Sequence, residues 1–157
     1  MDSSTKLYLE RAENELRLAE IIMQISLNKD LQNNIPEIDK KDTYFSSVIS
    51  HAYYSIFYSA KAYLLTKGIV TTVPHEHQKT LDAFRKLVQK GIIDNELLRI
   101  YEEIVIKAET LLGIFSFEKG KRGDFTYKRI AQANIEPAKE SLDNAKLFIR
   151  HIYELSL

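Results

Sequence analysis

Residues 43–67 read TYFSSVISHAYYSIFYSAKAYLLTK, and the fold turns on this stretch. Phe45, Ile49, Ala52, Ile56, Ala60 and Tyr63 recur at steps of three and four, which places them on one side of a helix. Ser47, His51, Tyr54, Tyr58 and Lys61 occupy a second, weakly polar side. No acidic residue lies between Asp42 and Glu76. A helix that is apolar or only weakly polar all round is buried on more than one side. The spacing predicts a helix over 43–67 at the centre of a bundle or at a subunit contact, capped by Asp42 and stopped by Gly68.

Outward from this centre the helical period persists. Leu9, Ala12, Leu16, Ala19 and Met23 predict a helix over 5–25, with Glu10, Arg11, Glu13 and Arg17 in water. Asn33, Asn34 and Pro36 interrupt the pattern, so 28–42 reads as a polar connection. Pro74 in a first turn and Gly91 past the end bracket a third helix over 74–90, whose His77, Leu81, Phe84 and Val88 share a face. A fourth, 95–117, is capped by Asp94 and buries Leu97, Tyr101, Ile104, Ala108, Leu111 and Phe115. A fifth runs from Pro137 to 155 on Ala138, Leu142, Ala145, Ile149 and Ile152. No segment alternates with a period of two. The expectation is a single all-α domain over 1–157, an up-and-down bundle of about five helices.

Composition narrows the function. The 157 residues carry 22 basic and 22 acidic side chains, so bulk charge does not drive the chain onto nucleic acid or lipid. Binding to an anion needs a local patch. There is no cysteine, which excludes disulfides and thiolate chemistry. No apolar run approaches the ~18 residues of a spanning helix. The first residues lack the charged-then-apolar pattern of a signal peptide, so the expected location is cytoplasmic, away from membranes.

The charge patch lies between the fourth and fifth helices. Residues 118–129 hold five basic and two acidic side chains, a local charge of +3. Gly120 and Gly123 permit turns, and Phe125 and Tyr127 stand among Lys121, Arg122, Lys128 and Arg129. Cations beside flat rings suit phosphate contact and base stacking. The competing reading is that the rings tuck onto the bundle while the charges stay in water. His51, Tyr54 and Tyr58, at i, i+3 and i+7, can line one groove, either as a polar pocket facing that loop or as amphipathic packing residues. His75-Glu76-His77 is a weak metal pattern: the side chains diverge and no third ligand stands nearby. Carboxylate-bridged di-iron bundles need Glu-x-x-His pairs, and the chain has none. No metal or cofactor is expected.

Three stretches together resemble HEPN domains, helical modules named for nucleotide binding in higher eukaryotes and prokaryotes. They are YLERAENEL at 8–16 followed by Ala19; SHAYYSIFYSAKA at 50–62 followed by Leu64, Leu65, Gly68 and Ile69, with His77 and Phe84 beyond; and RGDFTY at 122–127, leading to Glu136, Pro137 and Ala138 and to AKLFI at 145–149. The resemblance implies a small bundle that pairs as a homodimer, often beside a minimal nucleotidyltransferase in toxin–antitoxin-like systems. Catalytic members are metal-independent endoribonucleases with an arginine followed four to six residues later by a histidine. Arg122 fits the arginine, but Tyr127 stands where the histidine is due, and no histidine lies between Phe84 and Arg150. A phenol of reference pKa ~10 is a poor base near neutrality.

The leading expectation is therefore a homodimer that recognises a nucleotide or RNA through Arg122, Tyr127, Asp124, Lys121 and Lys128, together with His51, Tyr54 and Tyr58. A nuclease using Arg122 with Tyr127 or His51 is the alternative, and a purely structural dimer is the third reading.

Overall fold

The computed structural model describes residues 1–39, 42–112 and 135–157. Among these the chain forms six helices and no strand: α1 (Ser3–Leu27), α2 (Lys29–Asn33), α3 (Phe45–Thr66), α4 (Glu76–Gln89), α5 (Asn95–Leu112) and α6 (Ile135–Ser156). The chain is an all-α bundle, as the helical period predicts. The apolar α3 lies at its centre, packed against α1, α4, α5 and α6. Thirteen of its 22 residues are buried, which fits its two-sided apolar sequence.

The core is aromatic where the long helices meet. Phe84 of α4 packs against Tyr101 of α5 and Phe148 of α6, each with ring centroids 5.5 Å away, and all three are fully buried. Tyr101 meets Phe148 edge-on at 85°, the geometry that ring quadrupoles favour. A smaller cluster joins Ala19 and Met23 of α1 to Val48 and Ile49 of α3 and Ala138 and Leu142 of α6.

Local chemistry sets the helix ends. Asp2 caps α1, its Oδ1 accepting from the Thr5 amide at 2.9 Å, and these bonds hold its carboxyl below the ordinary aspartate range. Asp94 accepts from the Glu96 amide at 2.8 Å at the start of α5. Both α3 and α4 end in the same motif. Gly68 has φ 72° and Gly91 φ 74°. Beyond them the Ile69 amide donates to Leu64 O at 2.9 Å, and the Ile92 amide to Leu87 O at 3.0 Å. Glycine enters this left-handed conformation without a Cβ clash.

Four expectations need adjustment. The 28–42 connection contains α2, because the Asn28 side chain accepts from the amides of Asp30 and Leu31 and restarts the helix. Asp42 does not cap α3; Tyr44 holds that position, and its amide is taken by Ser26 Oγ at 2.9 Å. Pro74 precedes α4 rather than opening it, since His75 sits at φ 58°, outside the helical region. On α1, Leu16 of the expected apolar stripe is only half-buried, and the neighbouring Glu15 is buried.

Candidate functional site on the face shared by α1 and α3

His51, Tyr54 and Tyr58 share one face of α3, as their spacing predicts, and α1 supplies their neighbours. Glu15 is buried between the two helices. Its Oε2 lies 2.6 Å from His51 Nδ1, and its Oε1 accepts from Arg11 Nε at 3.2 Å. A buried carboxylate requires this double engagement, because an unpaired charge is costly away from water. Glu15 in turn fixes the imidazole. With Nδ1 committed to the carboxylate, Nε2 is the nitrogen left to act outward, on a side chain 29% exposed.

The rings form a short run along the same face. Tyr58 stacks on Tyr54 at 6.3 Å and on Tyr8 of α1 at 6.1 Å, and the Arg11 guanidinium lies 5.2 Å from the Tyr58 ring centroid. Tyr8, Tyr54 and Tyr58 are all half-buried, so each keeps part of its ring in water. Burial, then the neighbouring Tyr58 and Glu15, raises the Tyr54 phenol above its ordinary value. It is a hydroxyl donor at neutral pH, not a phenolate. The arrangement offers flat rings, one guanidinium and one oriented imidazole, a set suited to an aromatic, anionic ligand.

Deeper in, the polar residues are engaged with one another. Tyr53 OH and His77 Nδ1 lie 2.6 Å apart, and the imidazole stacks on Phe57 at 4.2 Å. Burial, with the Lys61 charge nearby, pushes His77 below its ordinary value, while burial raises Tyr53. The pair is a hydrogen bond between a neutral imidazole and a protonated phenol. Lys61, placed by its spacing on the weakly polar side, is buried. Its Nζ donates to Thr71 O at 3.1 Å and pairs with Glu76, with the Tyr8 ring 4.9 Å away. Glu76 and His77 are thus committed to Lys61 and Tyr53. No group of three or more metal-ligating side chains gathers among the described residues. Nor does any helix among them have the length and apolarity to cross a membrane.

Arg122, Tyr127, Asp124, Lys121 and Lys128 lie outside the described residues, as does the stretch 113–134 that contains them. The structure brings together His51, Tyr54 and Tyr58. It adds Glu15, Arg11 and Tyr8, which the sequence reading left aside. One signal was available: 8, 11 and 15 fall at steps of three and four, on one side of α1.

Comparison with known proteins agrees with the all-α fold. Residues 28–111, 84 of the 157, match the HEPN domain family. A UPF0332 protein of Thermotoga maritima is 28% identical over 116 residues, covering 73% of this chain and 75% of the relative.

Proposed function

The chain belongs to the HEPN domain family, and on that premise we propose that it is a homodimeric module that recognises a nucleotide or RNA segment in the cytoplasm. It would act beside a minimal nucleotidyltransferase in a toxin–antitoxin-like pair. The observation that carries this reading is the half-exposed run of Tyr8, Tyr54 and Tyr58 with Arg11 and the oriented His51. Half-buried rings are rigid stacking platforms, and base–ring stacking tolerates any sequence because every base has a π face. The basic stretch with Lys121, Arg122 and Lys128 would add phosphate contacts, with Asp124 and Tyr127 as further polar groups. The test titrates labelled single-stranded RNA and nucleotides with wild type, Arg122→Ala and Tyr58→Ala, and measures sedimentation at micromolar protein. The reading expects twice the chain mass, and weaker binding in both variants. A dimer that binds none of the probes would leave only the structural role, and a monomer would count against the homodimer itself.

The Glu15–His51 pair favours a second reading, a metal-independent endoribonuclease. RNA cleavage without metal needs a base for the 2′-hydroxyl and a cation for the developing phosphorane charge. An imidazole with Nδ1 fixed by a carboxylate is a base with a defined direction, and Arg122 would be the cation. In this reading His51 replaces the histidine that the sequence lacks at Tyr127. Cleavage in chelator that disappears in both His51→Ala and Arg122→Ala, while binding persists, would select it. Binding without cleavage by wild type selects the first reading. Cleavage gained in Tyr127→His would then locate the missing base.

A further inference from the structure

A second surface, on α4, differs in chemistry from the tyrosine face. Ile69, Ala83 and Leu87 form the aliphatic floor of a groove of about 410 Å³, and Lys79, Lys86 and Lys90 stand at its rim. The one carboxylate in its lining, Asp82, is held by Arg85 Nη1 at 3.0 Å and by Gln78 Nε2 at 2.9 Å. None of the three lysines pairs with a carboxylate among the described residues. Among the described residues the rim thus carries three cations without a carboxylate partner, in a chain of zero net charge. Lys86 and Lys90 sit at the end of α4, where the helix dipole favours cations, so their presence there alone means little. Lys79 does not fit that explanation. It lies in the first turn, at the positive end of the same dipole, and still faces the groove.

The wall beside the groove is preformed. Thr71 Oγ1 and Thr80 Oγ1 are 2.7 Å apart, Lys61 Nζ donates to Thr71 O from beneath, and Lys79 Nζ reaches Thr72 O at 3.3 Å. On this pinned loop Val70 is 69% and Val73 76% exposed. A fixed wall lowers the ordering cost of binding.

We infer that this groove is the docking site for an acidic amphipathic helix of a partner protein. Small aliphatic side chains at i and i+3 or i+4 would seat against Ala83, Leu87 and Ile69, and flanking carboxylates would meet Lys79, Lys86 and Lys90. Nucleic acid fits less well, since no aromatic ring lines the groove and its floor is aliphatic. The inference stands apart from the proposed recognition of nucleotides on the α1–α3 face.

The test uses the full chain and fluorescence anisotropy with four labelled probes. They are a designed helical peptide with a Leu/Ala stripe flanked by glutamates, its scrambled isomer, its Glu→Lys counterpart, and a single-stranded RNA. The expected result is binding of the acidic amphipathic peptide at least about tenfold tighter than the scrambled or basic peptide, a difference of about 1.4 kcal/mol. Lys86→Glu/Lys90→Glu should reverse the preference toward the basic peptide. Both side chains are exposed, so an unchanged thermal midpoint confirms that the fold is intact. Equal affinity for the scrambled peptide would reduce the site to nonspecific charge attraction and overturn the inference. So would no peptide binding, or RNA affinity that collapses in the double variant while peptide affinity does not change.

Discussion

Lys61 and Glu76 form an ion pair of unequal burial, and that inequality sets which partner matters more. The Lys61 side chain is 6% exposed and that of Glu76 28%. Glu76→Ala leaves a buried ammonium with only the Thr71 carbonyl and the Tyr8 and Phe57 rings, 4.9 and 5.6 Å away. Orphaning a buried charge usually costs several kcal/mol, and these remaining partners bring the expected loss to about 2–3 kcal/mol. Lys61→Met removes the charge and keeps most of the stem volume. Glu76 then recovers water, and the main penalty is the buried Thr71 carbonyl left without its donor, about 1–2 kcal/mol. The double variant should lose less than the sum of the singles, because the second substitution removes the charge that the first one orphans. Urea denaturation measures all three. For a chain of this size each kcal/mol moves the thermal midpoint by roughly 2–4 °C, so the Glu76→Ala shift is easily resolved. A Lys61→Met loss equal to or larger than that of Glu76→Ala, or strictly additive losses, would refute the reasoning.

Three further outcomes follow from the packing and the titrations. Phe84→Ala should cost about 3–5 kcal/mol by calorimetry, since the ring is fully buried between Tyr101 and Phe148 and its loss leaves a cavity. Gly91→Ala should cost about 1–2 kcal/mol: an added Cβ meets no atom within 4 Å, so any loss comes from φ 74° alone, and a neutral result would contradict that assignment. His77 is held below its ordinary value of 6.5 by burial, so the unfolded chain binds its proton first as pH falls. Stability should therefore decline below about pH 6.5 with a slope from this group of at most about 1.4 kcal/mol per pH unit. In His77→Gln, which keeps an acceptor for Tyr53, that part of the decline should vanish; an unchanged acid slope in urea midpoints would contradict it.

The fold was legible because burial follows a strong period. Leu9, Ala12 and Ala19 on α1 and Ile49, Ala52, Ile56 and Ala60 on α3 recur at helical spacing and are all buried. Gly68 and Gly91 marked their helix ends because only a residue without Cβ enters φ near +70° freely. Two departures share a cause, a polar side chain satisfied by a distant partner. Glu15 lies off the apolar stripe of α1 and is buried because His51, 36 residues away, meets it. Lys61, on the weakly polar side of α3, is buried because Glu76 and the Thr71 carbonyl engage its ammonium. Tyr44, not Asp42, stands at the cap of α3, its own amide donating to Ser26 Oγ. Within the candidate site, the α3 trio His51, Tyr54 and Tyr58 was visible from one helix's spacing. Arg11, Glu15 and Tyr8 were not, because their role depends on how α1 lies against α3.

The central claim is that the tyrosine face binds nucleotides or RNA, and the most direct measurement is the affinity of a short, unstructured RNA for wild type and for Tyr54→Ala/Tyr58→Ala. Anisotropy at fixed low salt reads it, with circular dichroism to confirm that the bundle is retained. Base–ring stacking is worth about 1–3 kcal/mol per base, so the double variant should bind at least about fivefold more weakly. RNA binding that the double variant retains unchanged, or no binding of RNA or nucleotide by wild type, would contradict the account.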